Sequence, residues 1–286
     1  MSDKIFRSLL LVSALILLLI FAGMFFSLSK GAVPAFREFG FFGFIFSDKW
    51  ISGTGQSTEQ YGALAFIAGT LMTSILALLI CLPFSLPVAF FVGEYFRGKK
   101  VAGILGGIVD LLAGIPSIVY GLWGFYALRP LIQSLGLSEQ GFGVLTSSLV
   151  LAIMIIPYAA SLSAEFIRMV PQELKEGAYS LGATRAEVIR NIIFPTSFSG
   201  IFSAYVLALG RAIGETMAVT MLIGNTSRIP RGLMDTGNTM ASIIANQFGE
   251  ADGLKLSSLI AIGLLLFLIT AIVNFLGRLM IKRHSV

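Results

Sequence analysis

Arg211 and Glu215 are the residues whose types and spacing first suggest chemistry: they lie four positions apart inside an apolar run, Pro195 to Asn225, long enough to cross a bilayer. An arginine near the centre of the hydrocarbon costs roughly 2.5–3.5 kcal/mol on insertion scales, so such residues face protein or an aqueous path and have a partner. Positions i and i+4 share one face of a helix, which places Glu215 one turn from Arg211. Two readings follow. The pair is a fixed ion lock between helices, or the guanidinium, a planar fork of donors, is an anion site for phosphate or carboxylate inside a membrane.

The elements that must hold this pair are set by composition. Of 286 residues 56% are hydrophobic and 12% charged, against about 25% charged in soluble domains, so the chain is an integral membrane protein. The net charge of +5 then records topology rather than nucleic-acid binding. One cysteine, Cys81, excludes an internal disulfide framework, and one histidine, His284, excludes His-based metal sites and catalytic triads.

Six apolar segments are expected to span, near residues 8–29, 61–93, 101–128, 142–162, 195–225 and 256–277. The first follows Lys4 and Arg7 and is too long for a signal-peptide core, so an uncleaved helix is expected. The segment 30–60 is expected as an external loop whose Phe36, Phe39, Phe41, Phe42, Phe44, Phe46 and Trp50 either lie at the membrane interface or pack as an ordinary loop. Pro83 and Pro87 in the second span and Pro116 in the third are expected kinks. Gly93, Gly98 and Lys99 have P-loop spacing, but Lys100 stands where Ser or Thr should hold magnesium, so no nucleotide site is read there. Asp110, in the third span with Gly103 and Gly107, is read as lying near the interface or in helix packing.

Residues 163–194 form the largest polar insertion and read as two short helices. Pro171 opens the first, Leu174, Ala178 and Leu181 share its apolar face, and Gly182 ends it. Thr184 and Glu187 have the spacing of a capping box for the second, which carries Ile189, Ile192 and Ile193. A helix-turn-helix has a similar outline, but a stretch anchored to spans at both ends is a poor groove reader. The segment 226–255 is expected as a polar external loop. Six spans place both termini on one side. Twelve Lys and Arg on that side against seven on the other make it the cytoplasm, together with the two-helix loop.

The two-helix loop resembles the EAA loop of ABC importer permeases: Glu176, Gly177 and Ala178, then Gly182, then Ile192, Phe194 and Pro195 stand at that family's spacing. Gly177 replaces the usual second alanine and Phe194 the usual leucine. Leu112 to Gly124 (LAGIPSIVYGLWG), Gly210 to Asn225 (GRAIGETMAVTMLIGN) and Asn238 to Glu250 (NTMASIIANQFGE) are similar to the phosphate importer permeases of the PstC type, over nearly the whole chain. The resemblance implies an all-α polytopic fold of one permease domain over 1–286. It implies a bacterial inner-membrane location and no catalytic or cofactor site in this chain, ATP and magnesium belonging to a partner ATPase. The implied partners are a second permease (PstA type), an ATPase dimer (PstB type) and a phosphate-binding protein (PstS type). It makes Arg211, Glu215 and Thr216 the substrate path, Glu215 competing with the anion for the guanidinium, and Thr220 and Asn225 further hydrogen-bonding groups. It makes Glu176, Gly177, Ala178, Gly182, Ile192 and Pro195 the coupling surface to the ATPase. Two alternatives stay open: a secondary anion transporter or channel acting alone, and an ABC permease for molybdate or sulfate.

Overall fold

Backbone crossing a bilayer must satisfy its own hydrogen bonds, and in an open chain only helices do so. The computed structural model describes residues 3–52 and 59–284 and is accordingly almost all helix, with one two-residue hairpin pairing β1 (Trp50–Ile51) and β2 (Gln60–Tyr61). Positions 53–58 of the expected loop 30–60 lie outside the described residues.

The first helix, α1 (Asp3–Phe39), does not stop at residue 29 but runs ten residues further, through Pro34. The reason lies in α13 (Gly253–His284), along which α1 packs. Ser257 Oγ on α13 accepts from Ala35 N at 3.0 Å and donates to Gly31 O at 2.8 Å, so one hydroxyl enters the hydrogen-bond ladder of α1 next to the proline. Ala32 and Ala35 are fully buried there. The short α2 (Phe41–Phe46) follows, and Phe36, Phe39, Phe44, Trp50, Tyr61 and Phe66 form one edge-to-face aromatic cluster. The aromatic segment is therefore packed, with only Phe41, Phe42 and Phe46 left exposed.

The second span, α3 (Leu64–Phe90), passes Pro83 and Pro87 without interruption and ends in a π-turn, Phe91–Tyr95. The third differs from a single kinked helix. It is α4 (Lys100–Ala113) followed, after Gly114 to Pro116, by α5 (Ser117–Trp123), a π-turn (Gly124–Leu128) and α6 (Arg129–Ser134), and its two halves are bent by 90°. Pro116 disfavours helix at Ile115, and glycine at 114 adds nothing to hold the turn. The most buried span is α7 (Val144–Arg168), packed between α3, α4 and α10 (Phe194–Ile213) in the larger of two apolar cores.

After α7 come α8 (Gln172–Ser180) and α9 (Arg185–Val188). Gly182 takes φ +84°, Gly182 N donates to Tyr179 O and Ala183 N to Ala178 O, so α8 closes in a Schellman turn. The Thr184–Glu187 capping box forms as its spacing predicts. The second helix of the loop is not separate from the fifth span, however: α9, a π-turn (Ile189–Ile193) and α10 make one helical stretch, Arg185–Ile213. The π-turn lies immediately before Pro195, where the ladder of an α-helix would be blocked by the pyrrolidine ring.

The segment 226–255, expected as a polar loop, carries one buried stretch between exposed flanks. Asn238 to Ile243 are buried, and α12 (Met240–Gln247) begins against α3, with Met240 N donating to Thr70 Oγ1 at 2.9 Å. A Cβ on Gly69 would stand 2.1 Å from Asn238 O, so only glycine admits this contact. The same segment caps α7, since Val144 N donates to Asp235 O and Leu145 N to Leu233 O, satisfying N–H groups that a helix start leaves free.

Candidate functional site

The helix of the fifth span, Arg185–Ile213, ends just past Arg211. α10 stops at Ile213, capped by Gly214, and the chain resumes only as the single turn α11 (Met217–Thr220). Arg211 thus lies in the last turn of α10, where the carbonyl end of the helix dipole favours a cation by about 0.3–1 kcal/mol. Its guanidinium lies 5.3 Å from the Tyr158 ring centroid. Tyr158 is fourteen residues from the start of α7 and ten from its end, about 21 and 15 Å at 1.5 Å per residue. Arg211 is thus level with the middle of α7, the most buried span.

The helical i, i+4 relation expected for Arg211 and Glu215 is not realised. Glycines at 210 and 214 weaken the helix just there, and Glu215 falls beyond its end. Its Oε1 instead accepts from Ala218 N at 3.3 Å, at the start of α11. Among the described residues Arg211 has no ion pair and no hydrogen-bonded side-chain partner, and the two ion pairs present are Arg168–Glu165 and Lys175–Glu94. The fixed lock between Arg211 and Glu215 is therefore absent and the donor fork is free. Thr216 Oγ1 donates to Gly214 O at 3.3 Å and Thr220 Oγ1 to Thr216 O at 2.6 Å, so both hydroxyls are turned to their own backbone. Asn225, at φ 54° in the left-handed region, bonds Thr220 O at 2.8 Å.

The broken third span meets the broken fifth. A Cβ on Gly121 of α5 would stand 3.0 Å from Ala218 Cα and 2.9 Å from Met221 Sδ, and one on Gly124 would meet Leu222 and Val150. Tyr120 Oη donates to Leu112 O at 2.9 Å, bridging the break between α4 and α5, within electrostatic reach of Arg211. Beyond the breaks a cavity of about 860 Å³ opens, lined among others by Phe142, Thr220, Met221, Asn225 and Thr226. Asp110 of α4 accepts from Ser161 Oγ at 3.1 Å, one turn along α7 from Tyr158. Irregular backbone at membrane depth is tolerated where it is buried in protein or lines an aqueous path, and broken helices meeting near the midplane are how transporters build substrate sites.

Residues 85–286 match the family described as the inner membrane component of binding-protein-dependent transport systems. The chain belongs to this family, among the PstC permeases. It is 40% identical to the phosphate transport system permease protein PstC of Mesorhizobium japonicum, covering 99% of this chain and 91% of that one. It is also 40% identical to the protein of that name from Haemophilus influenzae, covering 98% and 93%. Among solved structures it is similar to an inward-facing MetNI methionine ABC transporter, at TM-score 0.62 and 18% identity over 76% of this chain and 94% of that one, which is a likeness of fold. The permease is thus a multi-pass inner membrane protein of an ABC transporter.

At the end of the permease that holds α8, Glu176 and Gly177 are exposed and a Cβ on Gly177 would meet nothing within 4 Å. Ala178 packs on the core, while Leu174 and Leu181 project outward, Leu181 with 90% of its surface free. Gly182 is exposed, Ile192 half-buried and Pro195 exposed. The buried member of α8 is one the sequence reading passed over, Lys175, 1% exposed and paired with Glu94. No local pattern signals this pair, because its members are 81 positions apart. Tyr158 and Tyr120 were likewise hidden in apolar runs.

Proposed function

We propose that this permease is the subunit through which an ATP-driven importer moves inorganic phosphate into the cytoplasm, with Arg211 as the cationic contact on the path. The observation that carries the reading is the unpaired guanidinium of Arg211 at the C-terminal end of α10, level with the middle of α7. A planar donor fork suits a phosphoryl oxygen pair, and the PstC proteins that the chain resembles throughout are named for phosphate transport. Glu215 and Thr216 lie within the break and shape its polarity. A second permease of the PstA type would close the other side of the path, and a binding protein of the PstS type would deliver the anion. An ATPase dimer of the PstB type, holding ATP and magnesium, would act on the exposed surface around Glu176, Gly177, Leu174 and Leu181. Both termini and α8 are then cytoplasmic, in keeping with the excess of Lys and Arg on that side.

The test is ATP-dependent uptake of labelled phosphate, against sulfate and molybdate, in vesicles carrying the whole complex with the natural chain or Arg211→Gln. Loss of two charge-assisted hydrogen bonds, each worth about 1.5–3 kcal/mol, predicts a fall in phosphate uptake of at least a hundredfold with assembly intact. Normal uptake by the variant would remove Arg211 from the path. Preference of the natural complex for sulfate or molybdate would overturn the substrate and leave the permease reading standing.

A further inference from the structure

Three basic side chains from three different elements converge on one π-turn, Phe91–Tyr95, at the end of the second span. From α8, Lys175 Nζ reaches Glu94 Oε2 at 2.5 Å; the lysine is 1% exposed and the glutamate side chain 11%. From the start of α9, the Arg185 guanidinium donates to Tyr95 O, approaches Glu94 O at 3.4 Å and lies 3.9 Å above the Tyr95 ring. From the end of α7, Arg168 Nη2 reaches Val92 O at 3.5 Å. Gly93 allows this crowding, since a Cβ there would stand 2.9 Å from Ala164 O.

A fully buried lysine is tolerated only when its charge is met, and a short, water-excluded ion pair resists sliding in a way an apolar contact does not. A π-turn also lies on the opposite side of α9, at Ile189–Ile193, where the helix leads into the fifth span. The α8–α9 loop is thus tied to the second span by charged contacts, while α8 also packs against the π-turn that leads into the fifth. Neither Lys175 nor Glu94 is among the positions by which the loop resembles an EAA loop.

We propose that Lys175 and Glu94 are positioning residues that carry displacement of α8 into the second span, so that an ATPase acting on α8 moves α3 together with the end of α7. This rests on reading α8 as the coupling helix. Rigid-body transmission needs a joint that does not yield, and this pair is the stiffest contact α8 makes.

The experiment measures phosphate uptake and ATP hydrolysis on the same vesicles, per assembled complex, for the natural chain, Glu94→Gln, Lys175→Met and the exchanged pair Glu94→Lys with Lys175→Glu. The expected result is that each single variant hydrolyses ATP within about threefold of the natural rate while uptake falls at least tenfold, and that the exchanged pair recovers part of the uptake. Uptake and hydrolysis falling in the same proportion would overturn the proposal, leaving the pair a staple of the fold; so would unchanged uptake. If the exchanged pair fails to assemble, the hydrolysis-to-uptake ratio of the single variants decides alone. Should the natural complex import a different oxyanion, the phosphate reading fails, and the same ratio measured with that anion still tests the joint.

Discussion

Gly121→Ala is the perturbation that tests whether the two broken spans act as one unit. The added methyl would sit 3.0 Å from Ala218 Cα and 2.9 Å from Met221 Sδ. The methionine sulfur can swing aside, but the Ala218 backbone cannot, and a comfortable carbon–carbon separation is about 3.5–4.0 Å. The α5 and α11 segments must therefore part by about 0.5–1 Å, and overpacking of this kind costs about 1–3 kcal/mol. Because α11 follows Arg211 by only a few residues, the displacement falls on the geometry of the break. A misplacement of about 1 Å in a site that depends on position costs on the order of a hundredfold, so uptake should fall at least tenfold. The thermal midpoint of the purified complex should drop by roughly 2–4 °C per kcal/mol. Gly23→Ala, on α1 where an added Cβ meets nothing within 4 Å, is the control: it should leave uptake within error and, as a glycine replaced inside a helix, should not lower the midpoint. If Gly121→Ala transports and melts like the natural chain, the close approach of α5 to α11 does not govern the site.

Two glycines in the loop that holds α8 should respond in opposite directions. Gly177→Ala adds a methyl to open space in a helix, removes a backbone entropy cost and should stabilise by about 0.5–1 kcal/mol, seen as a higher thermal midpoint with uptake retained. Gly182→Ala places a Cβ at φ +84°, which costs about 1–2 kcal/mol; it should lower the midpoint and weaken co-purification of the ATPase, and a silent substitution would mean that the Schellman turn adapts freely.

What the sequence disclosed and what it hid divides by range. Thr184 with Glu187, and Gly182 after α8, act within a few residues of themselves, so their roles were legible and the structure realises both. Apolar runs located the helices, but their ends are decided elsewhere. α1 continues to Phe39 because Ser257, more than two hundred positions away, accepts and donates where Pro34 disturbs the ladder. The buried stretch from Asn238 to Ile243 looked like a solvent loop because its Asn, Thr and Ser side chains find partners within the stretch, while Met240 N–H bonds Thr70. Lys175 looked like a solvated charge because nothing near it in sequence reveals Glu94. The Arg211–Glu215 pairing failed for a local reason that was in view: Gly210 and Gly214 bracket the arginine, and a periodicity argument assumes a helix that two glycines make easy to end.

That last correction changes how the site must work. With Glu215 as a helical neighbour of Arg211, release of a bound anion would follow from competition between carboxylate and substrate for one guanidinium. In the structure the carboxylate is engaged by Ala218 N–H, and among the described residues Arg211 meets an aromatic face and the end of a helix dipole, with no ion pair. A cation–π contact contributes about 0.5–1 kcal/mol at exposed sites and about 2 when desolvated, far less than a charged partner. An anion arriving at Arg211 therefore displaces little, and nothing within the site drives it off again. On the proposed path, release would come from movement: a shift of α10 against α7 or of α11 against α5 would alter the depth, hydration and dipole environment of Arg211 together. The breaks at Gly114 to Pro116 and Gly214 to Thr216 are the places where such a shift needs the fewest hydrogen bonds to be broken, because the ladders are already interrupted there. The features that make this pair of spans poor as simple membrane anchors are those that allow one site to bind an anion in one arrangement and lose it in another.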